Sequence, residues 1–323
     1  MKLSISCGAY DRTWPLIAKH IEPEGVELDW HIMPPEEAFL RGMVYHEFDL
    51  TEMSFSTYLL QLSRGDNGYR AVPVFPSRSF RHSAIYIRAD AGIEKPEDLK
   101  GRTIGLPEYQ LTANVWARGL LSDEYGVRAE DVRWVHGGMD DYEVGREEKV
   151  PADLPPSIDI SPIGEGETLW GMMTRGEIDA IIAPRSPRAF DAGDPRVTRL
   201  FVDVRGAEQA YFKKTGLFPI MHLLGIRNDL VEDHPELAKA IFAAFEQARL
   251  HAVTELDQVA YKYVMMPWLI ENMAEIRSVM GDDYWPYGIE KNRKCLEAMC
   301  RYSHEQGLAK KLFKPEELFE TVE

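Results

Sequence analysis

An α/β fold of two successive lobes is what this sequence predicts, and three observations predict it. Short runs of strand character alternate with amphipathic helical runs from the N-terminus to about residue 227, the pattern of layered, largely parallel sheets. The grammar restarts near Arg102. One helix–strand–loop phrase occurs twice, as RGMVYHEFDLTEMSFSTY around Asp49 and as WGMMTRGEIDAIIAPRSPRAF around Asp179. The chain has 323 residues, 45% hydrophobic and 28% charged, which is length for two domains of about 150 residues and a composition too apolar for disorder.

The elements follow in order. Leu3, Ile5 and Cys7 alternate with Ser4 and Ser6, the period of a strand. A turn-rich loop, 8–13, leads to a helix capped by Asp11 or Thr13, with Leu16, Ile17 and His20 on one stripe. Residues 26–32 form a strand. Pro34 and Pro35 open a helix with Glu36 and Glu37 in its first turn, where the helix dipole favours acids; it ends near Met43. Residues 48–50 form a short strand that stops in 51–54, and a helix follows to Leu62. Residues 72–76 are a strand bounded by prolines, and 83–88 a longer strand.

In the second run, 102–106 is a strand, 107–112 a loop, 113–121 a helix and 132–136 a strand ending in Gly137 and Gly138. Residues 144–166 are polar and proline-rich, a loop with a short strand at 157–160. Residues 167–173 are helical and 178–182 a strand. Residues 221–227 form the last strand. Asp233 then caps a helix, Pro235 sits in its first turn, and Leu237, Ile241, Phe245, Ala248 and Ala252 make its apolar stripe. The remainder is mainly helical and too poor in strands for a third lobe, so it is expected to wrap the first.

Lys and Arg number 37 and Asp and Glu 53, a net charge of −16. That excess of acid argues against nucleic acid and anionic membrane as partners, while a few converging arginines still suit a small anion. No apolar run reaches the roughly 18 residues of a membrane span. The opening MKLSISCGAYDRTW lacks the apolar stretch of a signal peptide. Cys7, Cys295 and Cys300 fit no disulfide framework or zinc spacing. The expectation is a cytoplasmic protein that takes a small molecule, with self-association left open.

The order of elements resembles the type II periplasmic-binding-protein fold, with helix–GEIDAIIAP–loop as its second-lobe phrase. Four longer strings narrow this: VFPSRSFRHSAIYIR (74–88), GLPEYQLTANVWARGLL (105–121), GEIDAIIAPRSPRAF (176–190) and KTGLFPIMHLLGIR (214–227). With their spacing they resemble the 4,5-dihydroxyphthalate decarboxylase family, from the first strand to the helix after residue 233. The resemblance implies a lobe I of residues 1–89 and 222–323, a lobe II of residues 90–221, and a ligand cleft between them. It implies a carboxy-lyase that takes 4,5-dihydroxyphthalate to protocatechuate and carbon dioxide with no organic cofactor. The other function class is a solute-binding protein that captures an aromatic or other carboxylate for a transporter. A binder needs donors but no proton carrier, and that separates the two.

In open α/β sheets ligands sit beyond the carboxyl ends of parallel strands. The loops at those ends carry Arg12, Ser54, Arg78, Arg81, His82, Glu108, Tyr109, Thr112 and Arg185. Arg suits a carboxylate because its fork makes two parallel hydrogen bonds. Each of Arg12, Arg78, Arg81 and Arg185 has the alternative of solvation or pairing with a nearby acid. Ser54, Tyr109 and Thr112 complete the expected binding set; Tyr109, with Phe75 or Phe80, either stacks on an aromatic ring or packs the core.

His82 and His222 each open a strand that leaves the cleft. On the resemblance, both strands cross the lobe I sheet antiparallel to its other members, with both histidines at the cleft floor. Histidine there can move protons near neutral pH; the alternative is a buried histidine bonded to backbone. Glu108, just before a helix, either supports the proton work or is a helix-end carboxylate. No short metal motif such as HExxH is present, so no metal is expected. The rival is a divalent metal held by His82, His222 and Glu108.

Overall fold

The computed structural model describes residues 1–143 and 150–322. The chain divides into two compact units: unit one is Met1–Arg78, Tyr211–Glu297 and Phe313–Glu323, and unit two is Ser79–Ala210 and Ala298–Leu312. No helix among the described residues is long and apolar enough to cross a membrane.

Unit one holds β1 (Lys2–Ser6), β2 (Glu27–His31), β3 (Leu50–Ser54), β4 (Tyr69–Arg78) and, after the six strands of unit two, β11 (Ile220–Arg227). The sheet order is β2-β1-β3-β11-β4. β1 runs parallel to β2 and β3, and β11 antiparallel to β3 and β4. The strand expected at 48–50 lies later, because β3 continues through Thr51 and Glu52, both wholly buried. Polar residues are tolerated there when bonded; Thr51 Oγ1 lies 3.3 Å from Ser6 Oγ. β4 runs through Pro73 and Pro76 to Arg78. It is the edge strand, where a missing N–H breaks no ladder. β11 carries a register shift on either side of His222, the kind of bulge that re-aims a side chain.

The helix expected from Asp233 starts later. Asp233 ends a separate short helix, Asn228–Asp233, and His234 leaves helical geometry before the long helix Leu237–Leu256 begins. Its stripe of Leu237, Ile241, Phe245, Ala248 and Ala252 is buried as the periodicity predicts. The end of the chain returns to this sheet, where Phe319 bridges Ala71 and the Tyr58 hydroxyl donates to the Leu318 carbonyl at 2.7 Å.

Unit two holds β5 (Ile85–Arg88), β6 (Thr103–Leu106), β7 (Arg133–His136), β8 (Ile160–Pro162), β9 (Ala180–Ile182) and β10 (Val197–Arg199), in the order β10-β5-β9-β6-β7-β8. The strand expected at 83–88 is shorter, since residues 82–84 form a 3-10 turn. β5 is antiparallel to β9 and β10 in this sheet, so the expectation that it crosses the first lobe's sheet is corrected. The short strand expected at 157–160 lies later, as β8 at Ile160–Pro162, and the part of the predicted loop at 144–149 lies outside the described residues.

The unit boundaries therefore differ from those read at 89 and 222, and the helical tail is shared. Residues 298–312 belong to unit two, not to the first lobe. The reason is close packing against the helix Thr112–Tyr125: a Cβ on Gly119 would stand 2.4 Å from the Tyr302 ring, so only glycine lets that ring in. Tyr302 and Arg301 both bond Asp123, at 2.6 and 2.5 Å.

Candidate functional site

Unit one concentrates its buried polar groups at the C-terminal ends of β1 and β3. Glu52 has no exposed surface. Its Oε1 accepts the Tyr10 hydroxyl at 2.8 Å and lies 2.5 Å from His222 Nδ1. Its Oε2 accepts the Gly8 N–H at 3.0 Å and the Cys7 thiol at 3.4 Å. Burial alone would raise this carboxyl, but the bonds from His222, Gly8 and Tyr10 outweigh it and hold the pKa below the ordinary value. Cys7 is pushed well up by burial and by Glu52, so it stays a thiol. Tyr10 reaches Glu52 across Gly8, where a Cβ would stand 2.5 Å from the tyrosine ring.

With Nδ1 committed to Glu52, His222 keeps Nε2 for proton exchange. Its side chain is 16% exposed, and the edge of Phe39 packs on it at 4.9 Å between ring centres. A carboxylate-backed histidine of this kind has the geometry of a general base, its ring fixed by the carboxylate with one nitrogen left over.

Three further predicted residues lie in unit one. Arg12 is clamped: its guanidinium stands 4.2 Å from the Tyr10 ring centre and 4.5 Å from that of Trp285. Its Nε donates to the Pro76 carbonyl at 2.6 Å and its Nη1 to Asp11 at 2.9 Å. Ser54, the buried last residue of β3, accepts from Thr57 Oγ1 at 3.0 Å. Arg78 requires a correction. It is the last residue of a strand, not part of a loop, and is buried. It donates to the carbonyls of Phe218 (3.1 Å) and Pro286 (2.7 Å) and to the Asn292 side chain. Burial lowers it to about 10, so it stays charged at neutral pH, with carbonyl and amide oxygens in place of a ligand.

Unit two carries the others. His82 is buried, with the edge of Phe201 5.0 Å from its ring centre, and burial lowers it to about 4. It is neutral at pH 7 and cannot be the resting proton donor. Burial also lowers Arg81, to about 10, against the charge of Glu208. Glu208 itself is raised to about 7 by burial, against a bond from the Ser83 backbone and the charges of Arg81 and Arg199. Glu108 is buried and accepts from Gln110 Nε2 at 2.8 Å, while the Asn114 amide donates to its carbonyl at 2.8 Å. His136, at the end of β7, is lowered by burial in spite of Glu108's charge. Thr112 is the buried first residue of its helix, and Arg185 is exposed after β9.

Tyr109 is the second correction. It has no exposed surface, its hydroxyl donates to the Gln306 carbonyl at 3.3 Å, and the Arg118 guanidinium covers its face at 3.7 Å. The core reading holds for it, because the loop 107–112 turns its ring inward.

His222 is in unit one, and His82 and Glu108 are in unit two. Among the described residues, no three His, Cys, Asp or Glu side chains are grouped to hold a metal ion. Sequence reasoning missed Glu52, Tyr10 and Glu208. Glu52 had a usable signal, a lone carboxylate two residues after an apolar strand start, and was lost because the strand was ended too early. Glu208 sits in an ordinary polar helix and carried none.

A family model described as ABC transporter, phosphonate, periplasmic substrate-binding protein matches residues 9–145. The chain is 42% identical over 319 residues to the 4,5-dihydroxyphthalate decarboxylase of Comamonas testosteroni, covering 99% of this chain and 96% of that one. It is 45% identical over 213 residues to the protein of the same name from Pseudomonas putida, covering 66% and 82%. Among solved structures, the periplasmic aliphatic sulphonate binding protein of Escherichia coli matches with a TM-score of 0.54 at 13% identity, covering 99% of this chain and 92% of that one. That likeness shows the fold, a periplasmic-binding-protein-like α/β architecture, and nothing of the chemistry.

Proposed function

The chain belongs to the 4,5-dihydroxyphthalate decarboxylase family, and we propose that it removes carbon dioxide from 4,5-dihydroxyphthalate to leave protocatechuate. The identity of 42% across 99% of the chain carries this reading. The buried Glu52–His222 pair supports it, because a binder has no use for a backed proton carrier.

Each ring carboxylate of the substrate is para to one hydroxyl. Removing the proton of that hydroxyl pushes electron density onto the carbon that bears the carboxylate. A proton added to that carbon gives a dienone-like intermediate. The carbon–carbon bond then breaks, its electron pair restores the ring, and carbon dioxide leaves. One proton is taken up overall, and the hydroxyls serve as the electron sink, so no organic cofactor is required.

His222 takes the phenolic proton at Nε2 while Glu52 holds Nδ1 and stabilises the imidazolium. In unit two, burial leaves His82 neutral at pH 7 and raises Glu208 to about 7. Arg12 in unit one and Arg81 and Arg185 in unit two are the cations suited to a spectator carboxylate. Glu108, which accepts from Gln110 and whose charge opposes the lowering of His136, is a supporting residue in unit two. The three buried thiols suit a reducing, cytoplasmic setting.

The second reading, capture without reaction, draws on the binding-protein family match. Incubating the purified chain with 4,5-dihydroxyphthalate separates the two. Carbon dioxide and protocatechuate in equal amounts are expected; saturable binding with neither product would establish capture instead. Turnover is expected to survive a chelator. Loss on chelation, with recovery on adding a divalent ion, would give His82, His222 and Glu108 ligand roles.

A further inference from the structure

In unit one a single side chain, Tyr10, touches both the proton-carrying pair and a cation suited to a carboxylate. Its hydroxyl donates to Glu52 Oε1 at 2.8 Å, the same oxygen that lies 2.5 Å from His222 Nδ1. Its ring lies under the Arg12 guanidinium, 4.2 Å from the ring centre. Burial and the neighbouring Glu52 push the phenol far above its ordinary pKa, so it keeps its proton and remains a donor across the neutral range. The loop is pinned around it: the buried Thr13 hydroxyl accepts the Tyr10 N–H at 2.8 Å and donates to the Gly8 carbonyl at 2.8 Å.

Arg12 is fixed on other sides as well. The Trp285 ring centre stands 4.5 Å from its guanidinium. Trp285 is itself held, its Nε1 donating to the Phe75 carbonyl at 3.0 Å and its ring packing edge-on with Phe218 at 5.3 Å. Arg12 Nε is on the Pro76 carbonyl and Nη1 on Asp11, while Nη2 has no partner among the described residues. Arg12 and Trp285 line a cavity of about 280 Å³, so the cation is reachable although its side chain is only 15% exposed. A guanidinium stacked on two rings and bonded at two nitrogens loses little freedom when the third takes a carboxylate oxygen.

We propose that Tyr10 is a positioning residue with two separable roles, an assignment that rests on the decarboxylase reading of the site. Its hydroxyl sets how tightly the Glu52–His222 pair holds a proton, and its ring, with Trp285, fixes Arg12 Nη2 as the donor to the spectator carboxylate. The groups that face Glu52 are Cys7, the Gly8 N–H, Tyr10 and His222; the charge of Arg12 acts on Cys7 and Tyr10, and Phe39 packs on His222. Without the Tyr10 hydroxyl the carboxylate has one donor fewer. The pair then binds its proton more tightly, whichever partner carries it, and the base is freed only at higher pH. Without the ring, the cation loses one of its two stacked faces.

Decarboxylation rates across pH, run beside calorimetric binding of phthalate, separate the two roles, since phthalate has both carboxylates and no hydroxyl to react. Tyr10→Phe is expected to raise the acid limb of kcat/KM by about half a unit, about threefold in proton affinity, with phthalate affinity unchanged. Trp285→Leu is expected to weaken phthalate binding by about three- to thirtyfold, the equivalent of one cation–π contact, with the limb unmoved. Trp285→Phe, which keeps a ring face, should recover most of that affinity. Tyr10→Leu should show both effects; should it fail to fold, Trp285→Leu carries the ring test alone. Tyr58→Phe, which removes another buried hydroxyl of unit one from its carbonyl partner, is the control and should move neither quantity. An acid limb unmoved in Tyr10→Phe overturns the proposal, as does unchanged phthalate affinity in the ring variants. A wild type that releases no carbon dioxide defeats the decarboxylase reading instead, and imidazole NMR then decides the role of the hydroxyl by itself. The His222 titration is expected to lie higher in Tyr10→Phe than in the wild type, and equal midpoints would refute that role.

Discussion

β1, β3 and β11 of unit one have counterparts in β6, β9 and β5 of unit two. In each trio the middle strand is parallel to the first and antiparallel to the third. An aspartate precedes each middle strand and does the same work. Asp49 accepts the Ser4 N–H at 2.8 Å and pairs with Arg227 at 2.7 Å. Asp179 accepts the Thr103 N–H at 3.2 Å and lies 3.5 Å from Arg88. The backbone N–H groups of Arg227 and Arg88 donate to the carbonyls of their own aspartates, both at 2.9 Å. Three residues after these aspartates the units part. The position is Glu52 in unit one and Ile182 in unit two, and both are fully buried. The fold therefore asks only for a buried side chain there. A carboxylate at that depth costs desolvation that an isoleucine does not, and here it is bonded to His222.

The sharpest way to break this comparison is to exchange the carboxylate and its partner. Glu52→Gln and His222→Gln are each expected to lower turnover about 10²–10⁴-fold, the usual contribution of a positioned proton carrier, with circular dichroism and melting temperature close to wild type. Glu52→Gln should also move the pH profile, since it acts through His222. Ile182→Val, at the matching position, should cost about 0.5–1.5 kcal/mol of stability and leave turnover alone. Near-wild-type rates in both unit-one variants would remove the functional reading of the difference.

A second pair of positions should respond alike. Arg78 in unit one and Arg118 in unit two are buried cations held by neutral oxygens. Arg118 donates to Gln306 Oε1 at 2.8 Å and to the Tyr109 carbonyl at 2.7 Å. Replacing either by Met strands those acceptors, with an expected loss of about 2–4 kcal/mol in urea unfolding. A loss of substrate affinity at unchanged stability in Arg78→Met would instead return Arg78 to the binding set. Arg81→Ala should weaken substrate binding by about 1.5–3 kcal/mol, as should at least one of Arg12→Ala and Arg185→Ala; calorimetry showing unchanged affinity in all three would exclude them as carboxylate contacts.

The smallest expected effects are in pH, and they differ between the units. Glu208 rises from 4.5 to about 7 through burial. Its contribution to stability is complete below the lower value and fades as pH rises through the upper one. His82 falls from 6.5 to about 4 through burial, so its contribution is present above the first value and is lost as pH falls through the second. In unit one, Glu52 is held low by its bonds, and its share is lost only as the pH falls below the ordinary carboxylate range. Melting curves across this span should show Glu208→Gln gaining on wild type at alkaline pH and His82→Gln gaining at acid pH. The opposite ordering would mean that burial does not govern these two groups.

Much of the fold was legible because periodicity is local. The stripe of Leu237, Ile241, Phe245, Ala248 and Ala252 faces the core as read, and the repeated phrase around Asp49 and Asp179 proved to be a repeated strand topology. The site was less legible. His222 stands beside a buried carboxylate, while Arg78 and Tyr109 had the right types and loop positions for a ligand but pack inward. Strand ends misjudged by a few residues account for Glu52 and Arg78 together: ending one strand early hid a buried acid, and ending another early put a buried cation in a loop.

By itself the sequence determined the alternation of strand and helix, the two-lobed plan, the acidic surface and, through four long strings, the family. Each depends on neighbours along the chain or on residue types, and needs no knowledge of distant partners. Only the tertiary structure decided that β5 joins the sheet of unit two, that residues 298–312 return to that unit, and that Glu52 holds His222. Those outcomes rest on hydrogen bonds and burial between residues far apart in sequence, 170 positions in the case of Glu52 and His222, and such pairings leave no local period to read.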